Sequence, residues 1–365
     1  MKDEKINSFI LSTILISLCC STFYGIFSSY IINSSKNSSL ISITIGYILS
    51  LFVAKLFLSF YKKKEELSIT EKIKYLFPKT STIINIILIL CSVFGYVLIS
   101  YRLTTFLSNQ YLVSTPKYII SIIIISLTCY TASKGFNTVI RVSYITFFIS
   151  IIIFFFDFIS LVSYIDLENY LPLINVSYKD IITSSIIFMF YFSSPIIYLN
   201  IIPYNKIINK DSFNKFYYIM ITTSFIIIFI STFTCIGVNG IRVTELFDYP
   251  IYSTLKRIRL FSALDSLENI SISAWFLFII NTANMMLTYI FSAVKETFNN
   301  KNTIINLIII VTSFVIPNFI FANNNFNESY DYIYIPIIFA GINISIILLY
   351  LVKYKFFQKK RTYSS

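Results

Sequence analysis

Residues 181–199 read IITSSIIFMFYFSSPIIYL, and this stretch decides the fold. It contains no charged side chain, and a helix of about 20 apolar residues is long enough to cross the hydrocarbon core of a bilayer. It also contains a weak point, because Pro195 has no backbone N–H to donate to the helix. The stretch is therefore predicted to form a transmembrane helix that is interrupted near Ser193, Ser194 and Pro195.

Nine further apolar runs surround this one. The 365 residues are 56% hydrophobic, 18% aromatic and 13% charged, whereas about 25% of residues are charged in soluble domains. This composition excludes a soluble fold and predicts an all-α polytopic membrane protein with about ten transmembrane helices, in one integral membrane domain over residues 1–365. The ten runs are 6–32, 40–61, 82–108, 118–132, 142–164, 181–199, 216–238, 270–293, 304–321 and 332–352.

The basic residues indicate the orientation. If both termini are cytoplasmic, 20 of the 29 Lys and Arg residues lie in inner connections and tails, 7 lie outside, and Lys55 and Arg102 lie within runs. Positive charge accumulates on the cytoplasmic side of membrane proteins, so cytoplasmic termini are predicted. The net charge of +12 is then a consequence of topology, and nucleic acid is not expected as a partner.

The residue types of the chain do not favour an enzyme. The chain has no histidine, which is the commonest general base and metal ligand. Its five cysteines all lie inside apolar runs without the spacing of metal ligands. The sequence therefore predicts no catalytic residue, no metal site and no cofactor.

Two long connections suggest an internal repeat. Residues 62–81 and 239–269 lie five runs apart and on opposite faces, and each can carry a short surface helix. Ser68 and Glu71 form a capping-box pattern in the first connection, and Pro250 opens the second. This arrangement is typical of a five-plus-five inverted-repeat (LeuT-like) transporter fold. The expected repeats cover approximately 6–164 and 181–321, with an extra helix that extends to 352.

In such a fold the first and sixth helices are broken and form a site near the middle of the membrane. The first run contains the small, hydroxyl-rich stretch SLCCSTFYG at residues 17–25. An alternative reading is that small residues only let helices pack closely and that asparagines bond helix to helix. The candidate ligand-binding residues are Ser21, Thr22, Tyr24, Gly25, Tyr96, Tyr191, Ser193, Ser194, Pro195, Asn281 and Asn284.

Two charged residues lie within apolar runs and are candidates for coupling or for an ion pair. Asp157 is costly near the middle of a bilayer, so it is expected to face a cavity, to pair with a base or to take part in proton coupling. Arg102 is a candidate partner for Asp157 or for a ligand carboxylate. The alternatives are that Asp157 reaches water at the outer end and that Arg102 extends to the outer interface.

Residues 248–275 read DYPIYSTLKRIRLFSALDSLENISISAW, which resembles the most recognisable stretch of the spore germination receptor B-subunit family. In that family a Tyr-Pro pair, a basic residue, an acidic residue and a Trp recur at these spacings. The matching residues here are Tyr249, Pro250, Tyr252, Ile258, Glu268 and Trp275, and Lys256 supplies the basic residue where the family usually has Arg. Without the resemblance, Trp275 would be assigned to the aromatic belt at the membrane interface, and Lys256 to contact with lipid headgroups.

The resemblance implies a fold of the amino acid, polyamine and organocation transporter superfamily. It also implies a germinant-sensing subunit in the spore inner membrane that binds a small amino acid or similar nutrient, beside an A-type membrane subunit and a C-type lipoprotein. One alternative is a proton- or cation-coupled amino acid secondary transporter. Another is a structural subunit with a degenerate pocket, because Lys256 and Ile196 stand where the family usually has Arg and Glu.

Overall fold

The computed structural model describes residues 5–256, 267–298, 302–321 and 331–362. Helices dominate, and one two-stranded parallel sheet is present. The strands are β1 (Ile6–Asn7) and β2 (Ile207–Ile208). The helices are α1 (Ser8–Thr22), α2 (Ser28–Ser35), α3 (Ser39–Lys62), α4 (Ile69–Leu76), α5 (Ser81–Gln110), α6 (Lys117–Ser133), α7 (Phe136–Leu161), α8 (Tyr178–Ser193), α9 (Lys210–Asn239), α10 (Ile241–Thr244), α11 (Pro250–Leu255), α12 (Leu267–Phe298), α13 (Asn302–Val315) and α14 (Asp331–Thr362).

Membrane-spanning helices account for most of these elements. In the described part of the chain, eight helical segments are long and apolar enough to cross a membrane, and Ser8–Ser21 and Lys117–Ser133 are shorter apolar helices. The segment Ser28–Lys62 contains a chain reversal, because Lys36 has a φ of 48° and a 3₁₀ turn separates α2 from α3. We therefore number ten crossings as spans 1 to 10, and the predicted helical membrane fold is confirmed. The spans are α1 with α2, then α3, α5, α6, α7, α8, α9, α12, α13 and α14.

Contacts between connections define the two ends of the bundle. At one end, which we call the α4 end, Lys210 Nζ lies 2.5 Å from Glu65 Oε2, and β1 pairs with β2. At the other, which we call the α11 end, Asn37 Nδ2 donates to the Pro172 carbonyl at 3.1 Å. Connections after spans 1 and 5 therefore meet at one end, and those after spans 2 and 6 meet at the other, as alternating crossings require.

The packing of the spans follows an inverted repeat. Among the described residues, the most extensive helix interfaces join span 2 to span 6 and span 1 to span 7. In an inverted repeat, span 1 corresponds to span 6 and span 2 corresponds to span 7. The symmetry of the repeat then relates the interface of spans 1 and 7 to the interface of spans 6 and 2. Gly46 permits the first of them, since a Cβ atom there would lie 2.6 Å from the Ser185 carbonyl oxygen of α8.

Spans 1 and 6 change their helix type at corresponding depths. Span 1 is α-helical for 15 residues and then forms a π turn, Phe23–Phe27. Span 6 is α-helical for 16 residues and continues as a 3₁₀ helix, Ser194–Ile201, with Pro195 in its first turn. The interruptions lie in the predicted parts of spans 1 and 6, but the helices are not broken, because both stretches keep helical hydrogen bonding. The backbone hydrogen bonds change their spacing along the chain but are still made, so both stretches stay helical. Surroundings of low polarity favour this because an unpaired backbone group is costly there.

The first predicted surface helix is α4, which lies between spans 2 and 3. Its capping box is present: the Ser68 amide donates to Glu71 Oε2 at 2.9 Å, and the Glu71 amide donates to Ser68 Oγ at 3.4 Å. Lys72 is fully buried, and its Nζ donates to the Tyr61 carbonyl at 2.7 Å in the last turn of α3. Burial lowers the pKa of Lys72 to about 7, and the negative charge of Glu65 acts in the opposite direction.

The same helix also contacts span 8. Ser68 Oγ donates to Glu296 Oε2 at 2.6 Å, and the Thr70 hydroxyl donates to the same oxygen. These two bonds join the first turn of α4 to the last turn of span 8. The second predicted surface helix begins at Pro250 as α11, and residues 257–266 of its predicted course lie outside the described residues.

Candidate functional site

A large cavity lies between spans 1, 5, 7 and 8 and α11, towards the α11 end of the bundle. Counted with the open space at its mouth, its volume is about 800 Å³. We call it the Asp157 cavity. Its described lining residues are Tyr24, Ser28, Ser150, Phe154, Asp157, Phe158, Leu161, Ile227, Ile230, Ser231, Thr234, Tyr249, Ile251, Tyr252, Thr254, Leu255, Ile272, Ala274, Trp275 and Phe278.

One face of α7 supplies the charged group of this cavity. Ser150, Phe154, Asp157, Phe158 and Leu161 follow each other at i, i+4, i+7, i+8 and i+11, which places them along one side of a helix. The opposite side of α7 is exposed along the bundle surface, as expected for contact with lipid. The helical period of span 5 therefore directs Asp157 towards the cavity.

Aromatic rings form the wall of the cavity nearest the α11 end. The ring centroid of Trp275 lies 4.3 Å from that of Phe106, which also contacts Tyr249 and Tyr252 at 5.0 and 5.3 Å. Trp275 is 8% exposed, so the assignment of this residue to the interfacial belt is wrong. The ring packs into protein because α11 folds over the start of span 8.

Arg102 lies behind this wall. It donates a hydrogen bond to the hydroxyl of Tyr249, and burial raises the pKa of Tyr249 to about 12 while the charge of Arg102 opposes that change. Lys256 is also in contact with the wall, with its Nζ 4.4 Å from the ring centroid of Tyr252. Three residues of the quoted motif, Tyr249, Lys256 and Trp275, thus belong to one aromatic cluster.

Hydroxyl groups line the deeper part of the cavity. The Tyr24 and Ser231 hydroxyls are hydrogen-bonded to each other and join the π turn of span 1 to span 7. Asp157 lies close enough to Tyr24 for its charge to act on the phenol. Ser150 is fully buried, and its Oγ has no hydrogen-bond partner. A ligand atom that donates or accepts a hydrogen bond would supply the partner that Ser150 Oγ lacks.

A second cavity of about 520 Å³ lies beside the interruption of span 6. We call it the Asn343 cavity, because Asn343 is 6% exposed and its Oδ1 has no hydrogen-bond partner. It is bounded by spans 3, 6, 8 and 10, which are the counterparts of spans 8, 1, 3 and 5 in the inverted repeat. Its lining residues are Cys91, Phe94, Gly95, Leu98, Ile99, Tyr191, Ser194, Pro195, Tyr198, Met286, Phe339, Ala340 and Asn343.

The predicted ligand residues are divided between these cavities. Tyr24 lines the Asp157 cavity, whereas Tyr191, Ser194 and Pro195 line the Asn343 cavity. The structure therefore does not bring them together into one site. The side chains of Thr22, Gly25 and Glu268 lie outside the described residues.

The remaining candidates take part in helix contacts. Ser21 Oγ donates to Thr282 Oγ1 at 2.9 Å, and Asn281 Nδ2 donates to Thr146 Oγ1 at 2.6 Å. The Tyr96 and Thr128 hydroxyls lie 2.6 Å apart, and Ser193 Oγ donates to the Met189 carbonyl at 2.6 Å. Asn284 is 2% exposed, and its Oδ1 has no partner. The bonds of Ser21, Asn281 and Tyr96 favour the alternative reading, in which polar groups in spans join helices, whereas the Ser193 bond lies within α8.

Sequence reasoning did not single out Ser150 of α7 or the ring of Phe278. The signal for Ser150 was its spacing of seven residues from Asp157, which places both on one helix face. Among the described residues, no group of three or more His, Cys, Asp or Glu could hold a metal ion.

A helical bundle of two inverted halves belongs to the class of secondary-transporter folds. Two transporters are among the solved structures that share it. A Na⁺-coupled sialic acid symporter, in a substrate-bound outward-open state, is 11% identical with a TM-score of 0.65, over 93% of this chain and 78% of the symporter chain. A mutant manganese transporter from Eremococcus coleocola is 12% identical with a TM-score of 0.60, over 94% of this chain and 76% of that one.

The family follows from the sequence itself. Residues 5–328 match the family model described as spore germination protein, so the chain belongs to that family. This confirms the resemblance seen in residues 248–275. No curated protein matches the chain in sequence.

Proposed function

We propose that the chain is the nutrient-sensing subunit of a spore germination receptor and that it binds a small amino-acid-like ligand in the Asp157 cavity. The observation that carries the proposal is the cavity itself, which combines one carboxylate and several hydroxyls with apolar walls. Small-molecule sites have this composition: apolar area supplies affinity, and a few polar groups fix the orientation.

The position of the cavity provides a means of signalling. Spans 1 and 5 come from the first half of the repeat, whereas spans 7 and 8 come from the second. A ligand in the cavity therefore contacts both halves and favours the arrangement in which both contacts are made. Subunits that bind the bundle would detect that shift.

The setting of the subunit is part of the proposal. The distribution of Lys and Arg supports a cytoplasmic α4 end, where β1 and the last turns of α14 lie. Membership in the spore germination family supports a location in the spore inner membrane, in contact with lipid, with an A-type membrane subunit and a C-type lipoprotein as partners.

Filling the cavity tests the proposal. Ala274 is 6% exposed and lines the cavity, so Ala274→Phe is expected to abolish or strongly reduce the nutrient response of spores. Ile152 lies on the exposed side of α7 and is 69% exposed, so Ile152→Phe is the control and should respond normally. Nutrient germination is followed by the loss of optical density of the spores. A normal nutrient dose response in the Ala274→Phe spores would contradict the proposal.

A second candidate function is coupled amino acid transport, with Asp157 or a neighbouring group carrying the coupling ion. The observation that favours it is the pair of cavities on counterpart spans, since alternating access needs a path towards each face. Uptake of radiolabelled amino acids into liposomes that contain only this chain, with and without a proton gradient, separates the two functions. Robust gradient-dependent uptake would favour transport over a pure sensor.

A further inference from the structure

We propose that Asp157 forms a subsite for an ammonium group, so that the ligand class is a small amine-bearing molecule with an apolar remainder. This inference rests on the proposed binding role of the Asp157 cavity and specifies its chemistry. It concerns which atoms of the ligand are recognised and which residue recognises them.

The charge of the cavity is the first argument. Asp157 is the one charged group among its described lining residues. A carboxylate on a largely apolar wall is stabilised by a cation that brings its own hydrogen-bond donors, and an ammonium group does so. A ligand with only a carboxylate would place like charges together at this depth.

The aromatic lining is the second argument. Phe154 lies on the same face of α7 as Asp157, and Trp275 and Phe278 face the cavity from span 8. Rings of this kind attract cations through their π faces, and Trp does so best. Because Lys256 is already in contact with the ring of Tyr252 at the α11 end, repulsion favours a deeper position for a ligand cation, towards Asp157.

The length of the α7 face is the third argument. Ser150 lies on the same helix face as Asp157, about 10 Å away along the axis at 1.5 Å per residue. An ammonium at Asp157 therefore leaves room for a ligand body of several carbon atoms that reaches towards Ser150.

The cavity contains its own reporter. Trp275 is the only tryptophan of the chain, so its intrinsic fluorescence reports on the Asp157 cavity without any label. The purified full chain in lipid nanodiscs is titrated with three related probes. These are isoamylamine, L-leucine, and 4-methylpentanoate, which has the leucine carbon skeleton without the amine. Further primary amines of smaller and larger size complete the series.

We expect the amines to change Trp275 fluorescence and 4-methylpentanoate to have no effect. L-Leucine shows whether the subsite accepts an ammonium that carries a neighbouring carboxylate. Asp157→Asn keeps the shape of the side chain and removes its charge, so amine affinity should fall roughly 10- to 100-fold, as for loss of a hydrogen bond to a charged group. Asp157→Glu retains the charge and should retain amine binding.

Glu168 provides the matched control, since it is an exposed acid outside the cavity and Glu168→Gln makes the same change of charge. This variant should bind amines with unchanged affinity. If Asp157→Asn does not fold, the comparison of isoamylamine with 4-methylpentanoate on the unmodified chain still decides the question. The subsite is refuted by equal binding of the carboxylate, by unchanged amine affinity in Asp157→Asn, or by no response to any amine. Failure of the sensing role itself would appear instead in the spores with a filled cavity.

Discussion

The contact between spans 2 and 6 depends on Gly46, and replacing this residue by alanine tests the packing of the two halves. The added Cβ would lie 2.6 Å from the Ser185 carbonyl oxygen and 2.8 Å from Phe188 Cδ1. The first of these atoms belongs to the backbone of α8 and cannot rotate away. Spans 2 and 6 must therefore separate or shift along each other to accommodate one methyl group.

The magnitude follows from the geometry and from a control. Overpacking of a well-packed interface costs about 1–3 kcal/mol, whereas replacing glycine by alanine inside a helix gains up to about 1 kcal/mol. Gly341 lies in α14, and a Cβ there has no atom within 4 Å. Gly341→Ala therefore shows only the gain in the free energy of unfolding from the better helix-forming residue. The difference in the free energy of unfolding between the two variants is then the cost of the clash, about 1–3 kcal/mol.

The chain is suited to a thiol-based unfolding assay. Cys19, Cys20, Cys91 and Cys235 are buried, so a thiol-reactive dye gains access to them as the protein unfolds. In detergent, Gly46→Ala should unfold at a lower temperature than both the unmodified chain and Gly341→Ala. A Gly46→Ala protein that unfolds at the same temperature as Gly341→Ala would refute the close approach of spans 2 and 6.

Three further predictions use the same preparations. Lys72 releases its proton near pH 7 in the folded protein and near pH 10.5 in the unfolded chain. Between these values only the unfolded chain holds the proton, so the contribution of Lys72 makes the stability of the fold rise from pH 7 to 10. Lys72→Met should flatten this part of the pH profile of thermal unfolding. Glu296→Gln and Ser68→Ala should each lower the free energy of unfolding by about 1 kcal/mol. Because the two residues contact each other, the double variant should lose less than the sum of the two single losses. Full additivity would contradict the contact between Ser68 and Glu296. Gly95→Leu, which fills the Asn343 cavity, should change amine affinity at the Asp157 cavity as read by Trp275 fluorescence; unchanged affinity would mean that the cavities are independent.

The fold could be predicted from the sequence because the bilayer strongly constrains the length and the polarity of every segment that crosses it. Ten apolar runs gave ten crossings, and the Ser68 and Glu71 pattern gave a real capping box. Pro195 marked the interruption of span 6 because a missing N–H acts locally. What these signals did not reveal was the kind of interruption, since a π turn and a 3₁₀ helix both differ from an α-helix only in hydrogen-bond spacing.

The site was harder to predict because it depends on how helices are rotated about their axes. Ser21 and Asn281 are polar residues in apolar spans, and both a cavity and a neighbouring helix satisfy that description. In the structure they bond to Thr282 and Thr146. Asp157 was easier, since a carboxylate cannot face lipid without a large cost. Trp275 was misassigned because rings near a span end occur both at interfaces and in cavities.

Span 8 contributes residues to both cavities, so we expect it to couple them. Trp275 lines the Asp157 cavity, and Met286 lines the Asn343 cavity. These residues are eleven positions apart on α12, which corresponds to about three turns and returns to nearly the same helix face, roughly 16 Å further along the axis. A packed helix moves as a unit, because its interfaces switch between arrangements and do not deform continuously. We therefore expect a ligand that shifts span 8 at Trp275 to alter the space beside Met286 as well, which is the coupling that the Gly95→Leu variant tests.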